Sequence, residues 1–80
     1  MRTLTLFNTS ACHLCELAEA VILPELALTQ ETLVLKDISE CDQLMQHYAL
    51  TIPVFHRDDT DTELNWPFTR SDIQEFLRSQ

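Results

Sequence analysis

There is no glycine among the 80 residues. Any backbone position that needs a positive φ must use another residue, and Asp or Asn reaches it most easily. Positive charge is also scarce: five Lys and Arg stand against thirteen Asp and Glu, a formal net charge of −8. That balance argues against nucleic acid or an anionic membrane as partner, since both need a basic footprint. No apolar run approaches the roughly 20 residues of a membrane span. The first strand begins at Met1 and leaves no room for a secretory signal, so the cytoplasm is the expected compartment. The length allows a single domain, residues 1–80, with no second core.

What is present centres on Cys12-His13-Leu14-Cys15. An alternating run, residues 2–7, reads as a strand and delivers the motif, and a run with helical spacing follows it. Residues three apart on a first helical turn lie on one face, roughly 5–6 Å apart at Cβ, close to what a disulfide can span. The unpaired N–H groups of a helix start favour a thiolate over a thiol. A disulfide here closes a loop of a few residues and restrains the unfolded chain little, which points to redox chemistry and not scaffolding. The rival reading is zinc, which wants four ligands; Cys41, His13, His47 and His56 remain, and none has paired spacing.

The first helix is expected from about His13 to Leu23. Leu14, Leu17, Ala18, Val21 and Ile22 form its buried stripe, and Pro24 ends or kinks it. Thr32 to Ile38 reads as a second strand, parallel to the first through a right-handed crossover. A second helix runs from about Glu40 to Tyr48, with Leu44, Met45 and Tyr48 as its apolar side. Ile52 to His56 is a third strand with proline near its start. Asp58 to Thr62 is a polar turn, and Glu63-Leu64-Asn65 pairs back as a fourth strand. Trp66-Pro67-Phe68 is an apolar knuckle. Thr69 to Asp72 has the pattern of a capping box with Asp as its acid, before a last helix that buries Ile73, Phe76 and Leu77. The order is β-α-β-α-β-β-α.

With the Cys12-His13-Leu14-Cys15 motif, Ile52-Pro53-Val54 and Trp66-Pro67-Phe68 in register, nearly the whole chain resembles a small bacterial group of glutaredoxin-like proteins. The resemblance implies an α/β thioredoxin-like fold, a four-stranded mixed sheet flanked by helices. It implies a thiol–disulfide oxidoreductase in which Cys12 is the nucleophile and Cys15 resolves the mixed disulfide. It further implies a cis bond before Pro53, set against the dithiol, and an Ile52 backbone that offers N–H and C=O to an extended substrate. No cofactor is implied. The expected partners are a disulfide-containing protein or a low-molecular-weight thiol and a separate thiol reductant, and the chain is expected to be a monomer. Two departures argue against glutathione: Asn8 to Ala11, ahead of the first cysteine, carry no basic residue, and Trp66-Pro67-Phe68 replaces the Gly-Gly turn.

The site expected on these grounds comprises Cys12, Cys15 and His13, with Ala11, Ile52, Pro53 and Trp66 lining the substrate. Two readings stand for His13: protonated, it would stabilise the Cys12 thiolate, or it is a solvated histidine capping the helix start. Cys41 reads as a small apolar residue. Trp66 and Phe68 are either core or an apolar rim near the dithiol. His47, His56 and the Asp58–Asp61 cluster read as solvated surface. The alternative function is a non-catalytic module that keeps the scaffold for protein binding or metal delivery.

Overall fold

The computed structural model describes residues 3–29 and 31–78. The chain forms β1 (Thr3–Asn8), α1 (His13–Thr29), β2 (Thr32–Asp37), a 3-10 turn (Ile38–Glu40), α2 (Asp42–Tyr48), β3 (Val54–Arg57), β4 (Thr62–Asn65) and α3 (Arg70–Arg78). Arg2, assigned above to the first strand, lies outside the described residues. The strands make one sheet in the order β2-β1-β3-β4. β1 pairs parallel with β2 and antiparallel with β3, and β3 pairs antiparallel with β4. The architecture is the expected mixed four-stranded sheet.

Strand alternation divides the apolar residues between the two faces. Leu4, Leu6 and Phe55 pack with Ala18, Ile22 and Leu26 of α1 and with Phe68, Ile73 and Leu77 around α3. Phe7 and Val54 point the other way and meet Ile38, Leu44 and Tyr48. Phe7 stacks on Tyr48 at 4.3 Å between ring centroids. The Tyr48 hydroxyl donates to Glu63, which ties α2 to β4. Burial and then the Glu63 carboxylate push the Tyr48 pKa up to about 12.

The first helix differs from expectation in two ways. It continues through Pro24 to Thr29. Pro24 is exposed, as is Ala20 four residues before it, so the carbonyl that loses its donor can turn to water. Leu26, on the same face as Ala18 and Ile22, is buried and rewards the extra turn. The buried face is also rotated: Cys15, Ala18, Ile22, Glu25 and Leu26 face inward, while Leu14 and Leu17 are exposed. The apolar residues cover a wider arc than the sheet and α3 can bury, so spacing alone could not fix which side was inside.

Smaller shifts follow from local hydrogen bonds. Asp37 accepts from the backbone N–H and hydroxyl of Ser39, which turns Ile38–Glu40 into a 3-10 turn and delays α2 to Asp42. Met45 is exposed on α2, and Leu44 and Tyr48 do the packing. β3 gains Arg57, which pairs with Leu4 and is buried. The Arg57 guanidinium donates to both Asp59 oxygens and to the Phe76 carbonyl. The capping box forms reciprocally: Thr69 N–H donates to Asp72 Oδ2 at 2.9 Å and Asp72 N–H to Thr69 Oγ1 at 3.1 Å.

The hairpin without glycine uses Asp61 at φ 54°. Its carboxylate has a second role. His56, expected at the solvated surface, is largely buried, with Nδ1 2.8 Å from Asp58 Oδ1 and Nε2 2.8 Å from Asp61 Oδ1. Burial opposes the imidazolium, but the hydrogen bonds to Asp61 and Asp58 outweigh it and raise the His56 pKa. The resulting stabilisation is complete below the unfolded value of about 6.5 and is lost as pH rises through the raised folded value. Urea unfolding at about pH 5.5 and about pH 8.5 should therefore show a stability loss at the higher pH that His56→Gln removes. The same pH dependence in both proteins would contradict this.

Candidate active site

The sheet register gathers the expected site residues at one end. β1 ends at Asn8, which pairs with Asp37 at the end of β2. β3 runs antiparallel to β1, with Val54 opposite Phe7, so Ile52 and Pro53 lie at that same end. Val54 also pairs with Asn65, and the Trp66 N–H donates to the Pro53 carbonyl at 3.4 Å. The loop carrying Cys12 thus emerges at the end of the sheet that also holds Asp37 and Pro53, with Trp66 one strand further on.

Cys12 sits immediately before α1, at the N-cap position. Its carbonyl accepts from Glu16 N–H at 3.2 Å, and its sulfur accepts from Cys15 N–H at 3.1 Å. The sulfur occupies the place of a capping oxygen, where a thiolate would be a stronger acceptor than a thiol. Cys12 and Cys15 are joined as a disulfide with Cα atoms 5.2 Å apart. Cys12 is partly exposed and Cys15 is 3% exposed. Cys12 is thus the more accessible residue of the pair.

Ala11 enters this turn at φ 59°, a left-handed conformation that costs an L-residue roughly 1–2 kcal/mol. Without glycine in the chain, alanine bears that cost directly before the first cysteine. Ala11→Gly should raise the unfolding free energy by roughly 0.5–1 kcal/mol in urea denaturation. A destabilised variant would show that the Ala11 methyl packs usefully.

Asp37 is a site neighbour that sequence reasoning missed. The Ser39 N–H, then the Ser39 hydroxyl, hold its carboxyl below the usual range, with a further hydrogen bond from the Thr9 side chain. It links the loop after β1 to the turn after β2. An Asp followed two residues later by Ser was a readable turn signal.

Three expected residues take narrower places. His13 is exposed, its Nδ1 3.8 Å from Glu16 Oε2, so its nearest charged neighbour is a carboxylate. The Ile52 N–H, expected to be open to substrate, donates to the Tyr48 carbonyl at 3.1 Å, as does the Thr51 N–H at 2.9 Å. The turn after α2 therefore holds that donor in this conformation. Trp66 packs on the core and meets Phe68 edge-on at 5.0 Å. Pro53 is buried, and both Ile52–Pro53 and Trp66–Pro67 peptide bonds are cis. Cys41 is partly buried and unbonded to the other cysteines. Among the described residues, no group of three His, Cys, Asp or Glu side chains is placed to hold a metal ion. No helix among them is long and apolar enough to cross a membrane.

The model of the Glutaredoxin-like domain (DUF836) family matches residues 3–78. The chain belongs to that family. Among solved structures, this glutaredoxin-like protein is similar to the X-ray structure of XcR50 from X. campestris. The two are 31% identical over 92% of this chain and 93% of that one, with a TM-score of 0.71. The solution structure of XcR50 gives 29% identity over 96% and 92% of the two chains, with a TM-score of 0.76. Protein Ne2328 from Nitrosomonas europaea, at 24% identity over 94% and 89% and a TM-score of 0.79, shares the fold. No curated protein matches the chain. The family and the paired cysteines suggest redox-type thiol chemistry.

Proposed function

We propose that this glutaredoxin-like protein is a dithiol oxidoreductase. The observation that carries the reading is the asymmetric pair at the helix start: a partly exposed Cys12 whose sulfur receives an amide N–H, with a covered Cys15 within bonding reach. In the reduced protein the Cys12 thiolate attacks one sulfur of a substrate disulfide. The S–S bond breaks, the other substrate sulfur leaves as a thiolate, and a mixed disulfide forms. The Cys15 thiolate then attacks the Cys12 sulfur, releasing the second substrate thiolate and closing Cys12–Cys15. Two electrons pass from protein to substrate, and the released thiolates take up protons from solvent. A separate thiol reductant restores the dithiol and makes the chain an electron carrier.

In this reading Ala11, Pro53 and Trp66 border the substrate, and His13 lends positive charge near Cys12 when protonated. Ile52 contributes its carbonyl, since its N–H is engaged by Tyr48. The substrates are disulfides of proteins or small thiols in a cytoplasmic setting. Glutathione fits poorly, because the loop before Cys12 is uncharged and the chain carries −8. The chain is proposed to act as a monomer.

The test is a stoichiometric reaction of the reduced protein, on a Cys41→Ser background, with bis(2-hydroxyethyl) disulfide. The expected result is loss of both active-site thiols with an equivalent of small disulfide reduced. Thiols that persist under these conditions would favour the binding-module reading instead.

A further inference from the structure

We propose that the outer edge of β2 is a strand-addition site for an extended, cationic segment of another protein. β2 ends the sheet, and among the described residues no strand pairs with its outer side. In a parallel pair, alternate residues bond the neighbouring strand, so the others point N–H and C=O outward. Proteins ordinarily shield such edges with charge, proline, bulges or shortness. The opposite edge, β4, follows that practice: it has four residues, and its Glu63 is held by Tyr48. β2 has six, and from Thr32 to Leu35 it carries neither charge nor proline. Val34 is 42% exposed and Leu35 47%, one on each face. Lys36, the cation that could guard the edge, lies 3.8 Å from Glu40, and Asp37 is engaged by Ser39.

Charge selects the occupant. A second copy would bring another −8 to the same edge, and an acidic segment would meet the same repulsion. Lys36, Arg57 and Arg70 each sit against a carboxylate, which leaves the surface field dominated by exposed acids. An extended segment alternating Lys or Arg with apolar residues satisfies the open ladder and the field together, and lays its apolar side chains along the face that exposes Leu35. Because β2 ends beside Asn8, an added strand would run along the sheet toward the end that carries Cys12. The site itself does not depend on thiol chemistry.

The test uses the full-length oxidised chain and a cysteine-free peptide, acetyl-Lys-Val-Lys-Ile-Lys-Val-Lys-amide, followed by amide shifts and hydrogen exchange. Saturable shifts should map to β2, with new protection of its outward amides. Of two isomers N-methylated at alternate positions, one should lose about ten-fold in affinity and the other should not. Leu35→Lys should weaken the parent peptide by a similar factor, with unchanged far-ultraviolet circular dichroism. Equal binding by both isomers, or no saturable shift at β2, would overturn the proposal. Outward amides already protected in the free protein, with a mass that rises with concentration, would assign the edge to a second copy and overturn it too. Disulfide exchange plays no part in these readings, so their failure would leave the dithiol reading untouched.

Discussion

Phe55→Ala should lower the unfolding free energy by about 3–5 kcal/mol, enough to leave much of the chain unfolded at room temperature. Phe55 is 0% exposed at the middle of β3. It pairs with Leu6 on one side and Leu64 on the other. Its ring lies 6.2 Å from that of Phe68 and 5.5 Å from that of Phe76, so it joins the sheet to the last helix and the segment leading into it. Removing it strips contacts from both and leaves a cavity in a domain too small to relax around it at little cost. Phe55→Leu retains most of the volume and should lose much less. Urea denaturation at fixed pH checks both; a loss under about 1 kcal/mol for alanine would mean that this core is not where the stability resides.

The second large effect concerns the cysteines. Cys12→Ser should abolish disulfide exchange, because a buried Cys15 has no approach to substrate. Cys15→Ser should still attack but not resolve, so intact mass should show a covalent adduct that added thiol releases. The accessibility difference between the two residues underlies this expected asymmetry, and the Cys15 N–H on the Cys12 sulfur strengthens it. Substantial turnover by Cys12→Ser would reverse the roles or remove them.

Much of this was legible in the residues. The Cys12–Cys15 pair at a strand-to-helix junction, the order of elements and the Thr69–Asp72 box all rest on local spacing, which sequence displays directly. The demand for Asp in a hairpin without glycine was met by Asp61, for the same local reason. What was not legible depended on which surfaces happen to meet. Leu14 and Leu17 carry the same spacing signal as Ala18 and Ile22, and only packing against the sheet and α3 decides that they stay outside. Pro24 reads as a helix stop or a kink until the burial of Leu26 outweighs one missing hydrogen bond. Nothing in the local pattern marks Arg57 or Glu25 as buried, yet Asp59 and the Phe76 carbonyl hold the first inside. Gln74 donates to the second at 2.8 Å, and Arg70 lies 3.6 Å from it. His56 was misjudged because its partners, Asp58 and Asp61, meet it only once the hairpin closes.

At the site the same division holds. The motif named the sulfurs, but no sequence pattern states that Tyr48 accepts the Ile52 N–H. That bond engages the donor that the resemblance to the family assigned to an extended substrate.

The measurement that bears most directly on the dithiol reading is a redox titration of the purified protein across thiol–disulfide buffers, read by alkylation and intact mass. One two-electron transition is expected, requiring both Cys12 and Cys15 and unchanged by Cys41→Ser. A protein that forms no internal disulfide under oxidising buffer, or a transition that survives loss of Cys15, would contradict it.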